Sequence, residues 1–210
     1  MADTLAQLIT KVQALLGDTY ATFFTASIVT AGIRQALNEW NLRVPYYATA
    51  NVTGIANQYE YDFTTAQTTA IEILDIFTGD ESINYTMYIK AGKLYFRLAT
   101  PLGTTDTMIV AYTKPHTING LDSETVSTLT TFDDQAIVDG AAFYSIVTRA
   151  TARIETVNVS GGQPDDYAQI AQLYKMSFDA RLINAARRKE YATAEPDLRA
   201  WNDDYHTWEQ

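Results

Sequence analysis

The chain has 210 residues, 47% of them hydrophobic, with no cysteine, two histidines and a formal charge of −10. That is enough apolar material for a sizeable core, and it excludes disulfide staples, thiolate catalysis and thiolate or histidine-rich metal sites. The charge argues against wrapping a nucleic acid backbone, because phosphate affinity comes from clustered Lys and Arg; it suits plain solubility, or a surface past which DNA slides without sticking.

The first helix reads most clearly. Thr4 can cap it with Gln7 three residues on, and Leu5, Leu8, Ile9, Val12, Leu15 and Leu16 form one apolar stripe before Gly17 stops it. A second helix begins after Thr25, with Ile28, Ile33, Ala36, Leu37 and Trp40 at helical spacing, and must end before Val44-Pro45. From Tyr46 the pattern changes to β-branched and aromatic residues between turn formers, which predicts strands near 46–52, 59–63, 71–77, 85–89, 93–98 and 108–113. Ala91-Gly92 signals a tight hairpin. Residues 115–131, rich in Thr and Ser, read as a long connection with room for mobility.

A third helix follows Asp133-Asp134, with Ala136, Gly140, Phe143, Val147, Ala150 and Ile154 at spacings of three and four; its small residues would let another helix approach closely. The segment Ser160-Gly161-Gly162-Gln163-Pro164 breaks it, and Pro164 suits the start of a fourth helix, with Asp165 and Asp166 at the positive end of its dipole. That helix, from Asp165 to Lys189, would be roughly 38 Å long. Tyr167, Ile170, Ala171, Tyr174, Phe178 and Leu182 fall on one face, while Leu173, Met176, Ala180 and Ile183 fall nearly opposite, so the second set is a candidate subunit interface. Arg181, Arg187, Arg188 and Lys189 crowd its end, where they would favour the negative helix terminus. Beyond Tyr191 the chain turns acidic, with Trp201, Tyr205 and Trp208 spaced to share one face of a short helix. These aromatics fit equally an anchor for a partner's pocket and a fold-back onto the chain's own helices.

The expected fold class is therefore α+β: a four-helix base from 1–44 and 132–190, an inserted antiparallel β domain at 45–131 and an extended C-terminal tail at 191–210. No run approaches the roughly 18 apolar residues that cross a membrane, and Met1-Ala2-Asp3-Thr4 lacks a basic region followed by an apolar one, so synthesis in the cytoplasm is expected. The sequons at Asn51, Asn84 and Asn158 then read as coincidence in a Thr-rich sequence.

Chemistry-bearing motifs are scarce. Gly161-Gly162 lacks the further glycines, lysine and preceding strand of a phosphate loop. Asp133-Asp134 and Asp165-Asp166 could be paired catalytic carboxylates, but each stands where a helix should begin and reads better as capping. His116 in the long loop and His206 in the tail read as surface histidines. Tyr59, Tyr61, Tyr85, Tyr88 and Tyr95 could form a sugar-binding platform, although packing of a sheet explains them too. No catalytic residue, cofactor or metal is expected.

The run Leu5-Ala6-Gln7-Leu8-Ile9 through Leu15-Leu16-Gly17-Asp18, then Ala31-Gly32-Ile33-Arg34-Gln35-Ala36-Leu37-Asn38-Glu39-Trp40 with a proline soon after, resembles the start of head-tail adaptor proteins of tailed bacteriophages, the connector or neck proteins of the tail-tubular-A kind. Lys93-Leu94-Tyr95-Phe96-Arg97-Leu98 with Pro101, then Ile109-Val110-Ala111-Tyr112-Thr113-Lys114-Pro115 leading to Phe132-Asp133-Asp134, extend the likeness as a pattern over nearly the whole chain. The resemblance implies a non-enzymatic virion protein of the neck region. It implies a homo-oligomeric ring, typically of twelve copies, docked beneath the portal protein, facing a tail or nozzle protein, and passing DNA through its channel without reading sequence. Trp201, Tyr205 and Trp208 become candidate portal-binding residues. A tail-completion or tail-tube protein is the nearest alternative, and a carbohydrate-binding β module the alternative of a different class.

Overall fold

In the computed structural model, residues 2–79, 81–103, 106–154 and 164–193 are described. Among them the chain is α+β, with five helices and two antiparallel sheets. Helices α1 (Leu5–Leu15) and α2 (Ala26–Arg43) come first. Strands β1 (Tyr46–Thr53), β2 (Glu60–Asp62), β3 (Glu72–Thr78), β4 (Glu81–Ser82), β5 (Tyr85–Lys90), β6 (Lys93–Leu98) and β7 (Thr107–Lys114) follow, with the single turn of α3 (Phe63–Ala66) after β2. Helices α4 (Thr131–Ile154) and α5 (Pro164–Thr193) complete the order. The chain divides into two compact units. One comprises the residues up to Gln7 with Leu37–Thr130; the other comprises Leu8–Ala36 with the chain from Thr131 on. The division falls within α1 and α2, so the last turns of α2 group with the strands rather than with the helices.

In the strand-bearing unit, β1-β7-β3-β4 form one sheet and β2-β6-β5 another. Their inward residues make one core of Tyr61, Phe63, Ile73, Ile76, Leu94, Phe96, Leu98, Met108, Val110 and Tyr112. The alternation that makes a strand half-buried is visible in β1 and β6, where exposed and sheltered residues strictly alternate. Ala91 and Gly92 both have positive φ (52° and 75°), as a two-residue type I′ hairpin between β5 and β6 requires. Two elements differ from the expected pattern. The strand expected at 59–63 stops at Asp62, whose carboxylate accepts the Thr65 N–H at 3.1 Å and starts α3. The connection after Pro115 is tightly bonded instead of loose. Ile118, Leu121 and Leu129 are buried, Thr117 and Thr128 exchange backbone and hydroxyl hydrogen bonds, and the Leu5 N–H donates to the Asn119 carbonyl at 2.9 Å.

The first helix has the capping box read from its sequence: the Thr4 N–H donates to Gln7 Oε1 at 2.8 Å, and the Gln7 N–H reaches back to Thr4 Oγ1 at 3.4 Å. In the helical unit, the first half of α4 is buried nearly all round. Asp133, Asp134 and the whole run Ala136–Ala142 are buried. Small residues permit this. A methyl on Gly32 of α2 would lie 2.7 Å from the Ala141 carbonyl oxygen, and one on Gly140 would lie 2.9 Å from both the Ala36 methyl and the Phe178 ring. Gly140 is thus the point where α2 and α5 close on α4. α5 carries 30 residues and continues to Thr193, past the expected end of the base at 190. Gly32→Ala meets rigid backbone and is expected to destabilise by about 1–3 kcal/mol, read as a fall in Tm with unchanged far-ultraviolet circular dichroism at low temperature.

Candidate functional site

α5 carries an apolar ridge on its exposed side. Ala171, Phe178, Leu182 and Ala185 are buried on one side. At 100° per residue the opposite side presents Leu173 (65% exposed), Met176 (67%), Ala180 and Ile183 (42%). These four are the residues singled out from sequence as a candidate interface, and they form a continuous apolar ridge at i, i+3, i+7 and i+10. Nearest-side polar neighbours are turned inward. Ser177 Oγ donates to Asp139 Oδ2 at 2.7 Å and Arg181 Nε to the same oxygen at 3.0 Å, while Gln135 Nε2 donates to Asp139 Oδ1 at 2.9 Å. Asp139 is buried, so a carboxylate of α4 with three donors fixes the rotation of α5 and thereby the direction of the ridge. Arg188 adds a pair to Asp133 at 3.3 Å. Two of the four basic residues expected to serve the helix terminus, Arg181 and Arg188, therefore serve helix pairing, because α5 runs on past them.

Asp133 and Asp134 lie in the first turn of α4, as a helix start favours. For Asp165 and Asp166 only the helical backbone at the start of α5 is described. Trp201, Tyr205, Trp208 and His206 lie outside the described residues. His116 corrects an expectation: it is buried, edge-on to Tyr46 with ring centroids 5.5 Å apart, and its Nδ1 stands 3.2 Å from Thr128 Oγ1. The ordered loop that carries it folds it inward, beside Asn41, whose side-chain oxygen accepts the His116 N–H at 2.7 Å.

The five tyrosines split. Tyr61 is core, stacked on Phe96 at 5.1 Å. Tyr88 and Tyr95 stack at 5.8 Å on the outward face of the β2-β6-β5 sheet. Register puts Glu60, Arg97 and Thr86 in one row across that face and Asp62, Tyr95 and Tyr88 in the next. Two carboxylates there are held by lysines: Lys93 on Asp62 at 2.7 Å and Lys90 on Glu60 at 3.2 Å. The Lys93 hydrogen bond, with the Thr65 N–H and hydroxyl, lowers the Asp62 pKa from 3.8 to about 2. The Tyr88 hydroxyl and then Lys90 lower that of Glu60. At the end of the same sheet, Tyr59, Asn84, Tyr85, Thr86, Arg97, Leu98 and Ala99 line a shallow depression of about 400 Å³.

In the helical unit, the Asp18 carboxylate accepts the N–H groups of Phe24, Phe23 and Thr22, and the Phe24 bond foremost lowers its pKa. This staples the turn between α1 and α2. Among the described residues no group of three or more His, Asp or Glu is placed to hold a metal, and no helix is long and apolar enough to cross a membrane. No protein-family model matches the sequence, and neither does any curated protein.

Two outcomes follow from these contacts. Because the folded pKa of Asp62 lies below its ordinary value, its stabilisation is complete above pH about 4 and is lost as pH falls through about 2; Asp62→Asn is expected to flatten the Tm-against-pH curve over that window. Asp139→Ala strands the donors that converge on a buried carboxylate, softened by the partial exposure of Arg181, and is expected to cost about 2–3 kcal/mol in urea unfolding.

Proposed function

We propose that this protein is a structural adaptor of a tailed-bacteriophage virion, joining the portal at the DNA-filled head to the tail. Copies assemble as a ring, with twelve the expected number, and the genome passes through the centre without sequence-specific contact. The protein works by geometry and carries no catalysis. In this reading the two N-terminal and two C-terminal helices form the base of each subunit, the strand-bearing unit is inserted into it, and the C-terminal tail reaches the portal through Trp201, Tyr205 and Trp208. A tail or nozzle protein takes the opposite side of the ring. The site of action is the neck of the virion, after synthesis in the host cytoplasm.

The observation that carries this reading is the ridge Leu173, Met176, Ala180 and Ile183. A helix whose one face is locked to α4 by Phe178, Leu182 and the Asp139 contacts has no need of a second apolar face. Large apolar side chains in water on successive turns favour burial against a neighbouring subunit, and each contributes about 1.5–3 kcal/mol when fully covered. A rigid helix held at fixed rotation is also the element from which a closed ring gains a defined subunit angle. The acidic balance of the chain is compatible with a channel that must not retain DNA.

The test is substitution on the ridge alone. Leu173→Glu with Met176→Glu is expected to leave the unfolding free energy within about 1 kcal/mol of the parent, since both side chains are exposed, while abolishing ring formation on portal particles in negative-stain images. Rings formed normally by the double variant would overturn the assignment of this face. Removal of residues 191–210 is expected to leave a folded protein that no longer joins heads; normal particle assembly by the truncated chain would remove the tail from the account.

A further inference from the structure

Four strands border the two sheets: β1 and β4 the first, β2 and β5 the second. Sheets usually blunt such edges with shortness, charge, proline or covering side chains, because an open row of N–H and C=O groups templates another strand. Three of the four are blunted here. β4 has two residues, β2 has three and ends in the cap of α3, and β5 carries Lys90 and faces β3, where the Tyr85 hydroxyl donates to the Ile73 carbonyl at 3.3 Å and the Ile73 N–H to Met87 Sδ at 3.4 Å. β1 has none of these devices. Its eight residues Tyr46–Thr53 include no charge and no proline, they pair in unbroken register with β7, and among the described residues no other strand or helix runs alongside them.

The register shows which groups are open. The Gly54 N–H donates to the Asp106 carbonyl one step beyond the Thr53–Thr107 pair, so even-numbered residues turn their backbone groups to β7 and odd-numbered ones turn theirs outward. Thr49, Asn51 and Thr53 are exposed, and among the described residues they make no hydrogen bond on that outer side. The core is unfinished there as well. Ala48, Ala50 and Val52 are only half-buried against it, whereas Tyr112, Val110 and Met108, their register partners on β7, are buried.

We propose that β1 pairs antiparallel with β1 of a second copy of this chain, about a two-fold axis at Ala50. A second copy is the matching occupant because β1 is the one long open edge among the described residues, and its sequence is self-complementary in this arrangement. Thr49 stands opposite Asn51 of the second copy, Tyr47 opposite Thr53, Ala48 opposite Val52 and Ala50 opposite Ala50, so no like charges meet. Odd-numbered residues face odd-numbered ones, which lets their outward N–H and C=O groups complete a ladder, while small apolar side chains cover one another on the inner face. Neighbours in a cyclic ring are not related by a two-fold axis, so the pair belongs to the chain outside a ring and does not rest on the adaptor reading.

Sedimentation velocity of the full chain, from about 1 to about 200 μM, tests the pairing. The parent is expected to dimerise reversibly with a Kd on the order of 10 μM, as suits an interface built on one strand pair. Thr49→Lys with Asn51→Lys, both at exposed positions, is expected to weaken the dimer at least about tenfold, and so is Thr49→Glu with Asn51→Glu. An equimolar mixture of these two variants is expected to dimerise again, since opposite charges then meet across the axis. Leu173→Glu with Met176→Glu is expected to leave the dimer intact, which separates this result from the α5 ridge. A parent that stays monomeric throughout, a dimer indifferent to the lysines or abolished by the ridge substitutions, or a mixture that stays monomeric would overturn the proposal.

Discussion

The close approach of α2 and α5 to α4 is the constraint on which the helical unit depends. Gly32 and Gly140 remove the side chains that would hold these helices apart, and Ala36, Ala141 and Ala142 keep the gap narrow. A helix surrounded this tightly leaves few ways for a neighbour to rotate. α5 must present Ala171, Phe178, Leu182 and Ala185 inward, and the buried Asp139 then receives Ser177 and Arg181 from it. A polar contact of this kind fixes register more than it adds stability, because the desolvation of the carboxylate offsets much of the gain. With the inward face decided, the outward face is decided too, and it is apolar.

The strand-bearing unit rests on a different principle. Its core is aromatic and closed by complementary ring geometry: Tyr61 flat on Phe96, and Phe63 edge-on to both Phe96 and Tyr112. Polar ends of these rings are satisfied locally. The Tyr112 hydroxyl donates to Gln67 Oε1 at 2.9 Å, and the Tyr61 hydroxyl accepts the Ile55 N–H at 3.1 Å.

Local signals in the sequence foretold local structure well. The Thr4–Gln7 box, the Ala91-Gly92 hairpin, the strand at Lys93–Leu98 and the start of α5 at Pro164 each depend on a few neighbouring residues, and all were legible. Features that depend on distant partners were not. The Asp62 cap cut a strand short, although Tyr59 to Phe63 alternates cleanly, because a side-chain acceptor competes with the ladder for the Thr65 N–H. His116 looked exposed because Thr and Ser around it suggested a loose loop, whereas those hydroxyls close the loop on itself. Arg181 and Arg188 looked like terminal charges because nothing in the sequence shows which face of α4 they meet. The α5 ridge was legible from helical periodicity alone. The Arg97 depression was not, since it exists only once strand register brings residues 59, 84 and 97 together.

The central claim is that the outward face of α5 is an interface between subunits. Cryo-electron microscopy of this protein mixed with the portal ring of the virion proposed for it addresses it most directly. The account predicts a ring of copies on the portal with Leu173, Met176, Ala180 and Ile183 buried between neighbouring subunits. A ring in which those four side chains remain in solvent, or no association with the portal at any salt concentration, would contradict it.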